Sequence, residues 1–242
     1  MSRDTKIVSM SGAPIFRYTD GEKEWEAPHG EECIEEISDH IEKHIGEIGM
    51  VFHEVISDTV HIDIHHVKPT PNRPFHTLIT SGMSDLPMQV PEGADASQFM
   101  ELMITLPDYW QIDDESFKDE RWYWPLRQLK FLARFPHKFG TWLGWGHTIP
   151  NGDPAEPYAE NTLLSGMIIL PAVNESPDFH ELVINENKTV EFYSLIPLYE
   201  EEMNLKLVKG TEVLLDKFDA HGFTDIVDVA RKNVAKKWMG LF

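Results

Sequence analysis

Between Val60 and Asp85 the sequence reads VHIDIHHVKPTPNRPFHTLITSGMSD, with four histidines and two aspartates close together. Imidazoles and carboxylates are the usual ligands of zinc and the usual acids and bases of hydrolases. In an extended strand His61, Asp63 and His65 share one face, and Ile62, Ile64 and His66 share the other. His61 and His65 then lie about 13 Å apart at ~3.3 Å per residue, too far to ligate one ion of ~2 Å bond length. A metal centre would therefore use one adjacent pair with a third ligand from His53, His76 or His147. A metal-dependent hydrolase built on His61, Asp63 and His147 is the catalytic reading of the stretch. The alternative is a polar strip on a half-buried strand.

Other chemistry-bearing stretches are less suggestive. His40 and His44 are one helical turn apart, but Ile41 stands where H-E-x-x-H requires its glutamate. They are expected to flank a stripe of isoleucines. SGMSD (Ser81–Asp85) lacks the residue order of a nucleophile elbow and reads as a turn. In that turn Gly82 is expected at a positive φ or a close contact, and Asp85 is expected to accept backbone N–H groups. GTWLGWGH (Gly140–His147) lacks the Gly-Lys-Ser/Thr ending of a phosphate loop. No cofactor is expected.

Elements must position these residues. Ile34, Ile37, Ile41, Ile45 and Ile48 predict an amphipathic helix over Glu31–Ile48, stopped at Gly49. Strands are expected at Val51–Ser57 and Val60–Val67, joined by a turn at Asp58-Thr59, and at Phe75–Gly82 and Phe99–Leu106. Pro125 is expected in the first turn of a helix with Leu126, Leu129, Leu132 and Ala133 inward. Further strands are expected in FGTWLGWGHTIP, NTLLSGMIILPA and Val190–Leu195. Helices are expected over Leu198–Val208, Thr211–Ala220 and Thr224–Lys237. Strands in the middle and helices at the ends predict an α+β fold: one domain over residues 1–242, with a mixed, largely antiparallel sheet flanked by helices.

Composition narrows the function. The chain of 242 residues carries 41 Asp and Glu against 21 Lys and Arg, a formal net charge of −20 at pH 7. Such a surface repels phosphate backbones and disfavours nucleic-acid binding, while a basic protein is attracted to it. The acidic stretches Asp113–Glu120, with Asp113 and Asp114, and Asn151–Glu160, with Glu156 and Glu160, are the expected steering elements, together with Glu200–Glu202. No apolar run reaches the ~20 residues of a membrane span, and MSRDTKIVSMSGAP has no signal-peptide core. With the single cysteine, Cys33, these features point to a cytoplasmic protein.

Five landmarks resemble the Suppressor of fused (SUFU) domain family. They are TLITSGMSDLPM (Thr77–Met88), ELMITLPDYW (Glu101–Trp110), WPLRQLKFLARF (Trp124–Phe135), GWGHTIP (Gly144–Pro150) and EFYSLIPLYEEEM (Glu191–Met203). They fall in order within a region from about His53 to Phe218. The resemblance implies a protein-binding domain without enzyme activity, with Asp85, Trp145 and His147 among its partner-facing residues. Animal members carry a second domain and grip a transcription-factor segment between the two. They also carry an acidic residue before the histidine of GWGH, where this chain has Gly146. The single-domain form is similar to the bacterial branch, which implies an immunity protein that neutralises a partner toxin.

Overall fold

The computed structural model describes residues 7–18, 32–53 and 60–236. In chain order the elements are β1 (Ile7–Val8), β2 (Pro14–Ile15), α1 (Ile34–His44), β3 (Ile48–Phe52), β4 (Asp63–Val67), β5 (Phe75–Ser81), β6 (Phe99–Pro107), α2 (Glu120–Phe139), β7 (Thr148–Pro150), β8 (Leu164–Leu170), β9 (Glu181–Asn185), β10 (Lys188–Tyr199), α3 (Glu200–Lys209) and α4 (Thr211–Asp219). β1 and β2 form a separate ribbon. The other strands form one eight-stranded mixed sheet in the order β3-β4-β5-β6-β10-β8-β7, with β9 also on β10. β3 to β6 run as an antiparallel meander, β10 lies parallel to β6, and β8 lies antiparallel to β10.

Side-chain alternation divides the sheet into two faces. Ile64, Leu78, Leu102 and Ile104 face α2, whose Leu126, Leu129, Leu132 and Ala133 are buried as the helical period requires. On the other face Val67, Ile79, Met103 and Phe192 pack on Ile37 and Ile41 of α1. Further along that face, Ile168, Ile196 and Leu198 pack on Met203, Leu214 and Phe218 of α3 and α4. The α+β architecture is as expected from the sequence.

Several boundaries differ from expectation. α1 ends at His44, and Gly46 (φ 150°) turns the chain so that Ile48 opens β3 instead of extending the helix. β4 begins at Asp63, and the expected turn at Asp58-Thr59 lies outside the described residues. α2 begins at Glu120, because Asp119 caps it by accepting the N–H of Arg121. Pro125 is therefore past the first turn. Of FGTWLGWGHTIP only Thr148–Pro150 is strand, since Gly140 (φ 58°) and Gly146 (φ 72°) adopt left-handed backbone that no pleat accommodates.

The helix expected at Thr224–Lys237 is not formed; the described part of that segment is irregular. Its Asp228 and Asn233 side chains accept the N–H groups of Ala230 and Ala235, which competes with helical hydrogen bonding. Val227 donates to the Thr105 carbonyl, alongside a bridge between Thr105 and Ile226. The segment is locked by Arg231. Its guanidinium pairs with the fully buried Glu202, donates to the Pro197 carbonyl and lies over the Tyr199, Phe218 and Phe223 rings.

Candidate partner-binding site

At the start of β4 the Asp63 carboxylate is buried between two more exposed imidazoles. His53 Nδ1 is 2.9 Å from one oxygen and His61 Nε2 3.0 Å from the other. His65, on the same face, bonds through Nε2 to Ser81 Oγ at 2.9 Å. His66 points the other way and pairs with His76, Nε2 to Nδ1 at 2.8 Å, and His76 Nε2 donates to the Asp108 carbonyl at 3.3 Å. Burial depresses the imidazoles of His65 and His66 to about 4, so both are neutral at physiological pH. Each imidazole in the stretch thus has a protein partner, and among the described residues no group of three His, Cys, Asp or Glu could hold a metal ion. His147 is not part of this cluster. It precedes β7, at the opposite end of the sheet from β4. Five strand spacings of ~4.8 Å separate the two, on the order of 24 Å. His61 and Asp63 meet, but His147 does not join them.

The SGMSD turn closes a second polar cluster. Gly82 has φ 101°, and a Cβ there would lie 1.9 Å from the His61 carbonyl oxygen, so both expectations for this glycine hold. The turn places Ser84 over Glu101, which lies on β6 with no solvent exposure. Glu101 accepts the Thr80 hydroxyl at 2.6 Å, the Ser84 hydroxyl at 2.6 Å and the Ser84 N–H at 2.9 Å. Burial nevertheless pushes its carboxyl up to about 7. Beside it burial raises Asp85 to about 6, opposed by Lys188 and by the N–H of Cys33, which Asp85 accepts. Asp85 therefore reaches back to the residue that precedes α1, a longer-range contact than the local turn expected.

The fourth landmark forms a loop across the far end of the sheet. Trp145 is 45% exposed, and the Trp142 and His147 rings meet edge to face at 4.3 Å. Burial, with a smaller push from Lys206, holds His147 down to about 4. The acidic loops are tied at one point, where Arg121 pairs with Asp119 and lies 3.8 Å from Glu160. Asp114, Glu156 and Glu160 are exposed. Asp113 is also exposed but accepts the N–H groups of Glu115 and Ser116, so it shapes its own turn. Under these loops the Trp122, Trp110 and Trp124 rings meet edge to face in succession and Trp124 stacks on Tyr158, with centroids 4.9–5.9 Å apart. Two features escape sequence reasoning. Glu101 shows only as an acid inside the apolar run ELMITLP, and the Glu202–Arg231 pair joins residues with no telling spacing.

A mixed sheet with α2 on one face and α1, α3 and α4 on the other, bearing loops whose polar groups mostly bond one another, defines an α+β domain. Residues 58–232 match the family described as Suppressor of fused protein (SUFU), and the chain belongs to that family. None of the curated protein sequences matches it. Among solved structures it is similar to a SUFU homologue from Neisseria gonorrhoeae FA 1090, with a TM-score of 0.62 and 16% identity over 84% of this chain and 97% of that one. The Sufu–Fu complex gives 0.58 and 15% over 85% and 93%. Drosophila Suppressor of Fused gives 0.56 and 14%, covering 83% of this chain but 50% of that protein.

Proposed function

We propose that this chain is a cytoplasmic protein-binding domain that neutralises a basic partner, in the manner of an immunity protein against a toxin, and carries out no catalysis itself. The reading rests on family membership together with the fold it shares with Sufu, a protein crystallised in complex with Fu. Two properties of the chain support it. The histidines and the aspartate around β4 are engaged with one another or with Ser81, as befits a structural role. The net charge of −20 and the joining of the 113–120 and 151–160 loops at Arg121–Glu160 favour a cationic surface as the partner.

The test is reconstitution with the purified product of a neighbouring toxin-like gene. A complex should co-elute, and toxin activity should fall with added chain. Its on-rate should drop steeply as added salt shortens the Debye length from about 10 Å at 0.1 M to about 3 Å at 1 M. Asp114→Asn combined with Glu156→Gln should slow association several-fold and leave Tm nearly unchanged, because both groups are exposed. Absence of a complex refutes the immunity role. A salt-independent on-rate refutes the electrostatic part alone.

A further inference from the structure

The Gly82–Asp85 turn is held from both faces of the sheet. On the α1 side the Cys33 thiol meets Ser84 Oγ at 3.6 Å, and Asp85 accepts the Cys33 N–H. On the α2 side His137 Nε2 donates to the Met83 carbonyl at 2.8 Å. Beneath the turn the Ser84 hydroxyl and N–H both donate to Glu101. Cys33, Ser84 and Glu101 thus form one hydrogen-bonded chain from the start of α1 to β6, and each is 1% exposed or less. Cys33 is the N-cap residue of α1, yet its side chain caps no helical N–H and faces the turn instead.

The charges around this chain are set against a second ionisation. Asp85 stands beside Glu101 and raises it further, after burial has done most of the raising. Lys188, buried at the start of β10 with Nζ 5.3 Å from the Phe99 ring centre, is the cation that attracts Asp85. Glu32 and His61 act on Asp85 from exposed positions, and Thr80 touches Glu101 from β5. With both carboxyls ionised, two negative charges face one buried cation, and a buried charge without full compensation is costly. Burial puts Glu101 at about 7 and Asp85 at about 6, so the second charge appears around neutral pH. The 2.6 Å contact between Thr80 Oγ1 and Glu101 Oε2 serves both states, because either oxygen can carry the proton between them. Hydrating an ionised Glu101 requires only that Ser84 lift away, with no strand parting from its neighbour. Local openings of this size cost less than global unfolding. The segment that must move begins at Gly82, whose left-handed backbone ends β5.

We propose that the Gly82–Asp85 turn and the first residues of α1 form a proton-controlled latch. It stays closed over Glu101 while that carboxyl carries its proton, and it lifts with the sheet intact once the proton is lost. The closed form binds the proton more tightly than the open form. The open fraction therefore grows as pH rises and levels off once pH has passed through the closed-state value.

Cys33 is the only cysteine of the chain and reports the opening directly. Its reaction rate with the neutral reagent 4,4′-dithiodipyridine is measured in the native chain and, at the same pH, in the urea-unfolded chain. The ratio of the two rates removes the thiolate fraction and leaves the accessible fraction. In the wild type that fraction should rise about tenfold or more from pH 6 to 8.5. Glu101→Gln should keep only the roughly twofold rise that Asp85 contributes. Asp85→Asn retains an acceptor for the Cys33 N–H and should keep most of the wild-type rise, since Asp85 is the weakest of the influences on Glu101. Urea below the unfolding midpoint separates the latch from global unfolding. Reaction through a local opening is nearly independent of denaturant, whereas reaction through global unfolding follows the full slope. A flat ratio in the wild type, an equal rise in Glu101→Gln, or the full denaturant slope at every pH would each overturn the latch. If Glu101→Gln does not fold, the wild-type ratio and its urea dependence decide alone.

Discussion

Glu101 makes the fold sensitive to alkali, and Glu101→Gln should remove that sensitivity. The carboxyl is fully buried, and its folded value of about 7 lies above the ordinary 4.5. A raised carboxyl binds its proton more tightly in the folded state. Its contribution is therefore complete below about pH 4.5 and is lost as pH rises to 7 and beyond. At 1.36 kcal/mol per pH unit the difference amounts to about 3 kcal/mol, a large part of the 5–15 kcal/mol that typically stabilises a domain. Glutamine reproduces the protonated form: its carbonyl can accept from Ser84, and its amide can donate to Thr80 Oγ1. Urea denaturation of both proteins from pH 5 to 8.5 is the assay. The wild type should lose about 2.5 kcal/mol more than the variant across that range, and the variant should be the more stable at pH 8.5. Taking the difference between the proteins removes groups that titrate in both, Asp85 among them. Parallel pH profiles would show that Glu101 is ionised and accommodated throughout, and the reasoning from burial would fail.

Three further outcomes can be checked by denaturant melts. Gly82→Val places a side chain against the His61 carbonyl at φ 101° and should cost about 3 kcal/mol or more, or prevent folding. Leu129→Ala and Leu132→Ala, both fully buried under the sheet, should each cost about 2–5 kcal/mol by opening a cavity; a loss below ~1 kcal/mol would refute the packing of α2. Arg231→Met strands the buried Glu202 carboxylate and should cost about 3–5 kcal/mol. Glu202→Gln combined with Arg231→Met should recover part of that loss, because no charge then remains buried.

Much of the architecture was legible in the sequence because it depends on local periodicity. The stripe Leu126, Leu129, Leu132 and Ala133 is buried, and the alternating β5 and β6 residues lie on opposite faces, as spacing alone required. Gly82 was legible for a similar reason, since a glycine in a turn between polar residues implies a restricted backbone. The five landmarks carried the family, which the match over residues 58–232 bears out.

What the sequence by itself determined, then, was the class of fold, the helix and strand faces and the family. The order of strands in the sheet was beyond it, because parallel pairing of β10 with β6 joins segments just over ninety residues apart, as in Val190 opposite Phe99. That order separates His147 from Asp63 and leaves His53 and His61 to share the aspartate. The expected last helix failed for the same reason. Its periodic apolar residues were real, but contacts with Thr105 and Glu202 from distant strands and helices offered its backbone and Arg231 better partners than a helix would. The burial of Glu101 was likewise decided only by packing, since desolvation depends on what surrounds a charge and not on its neighbours in the chain.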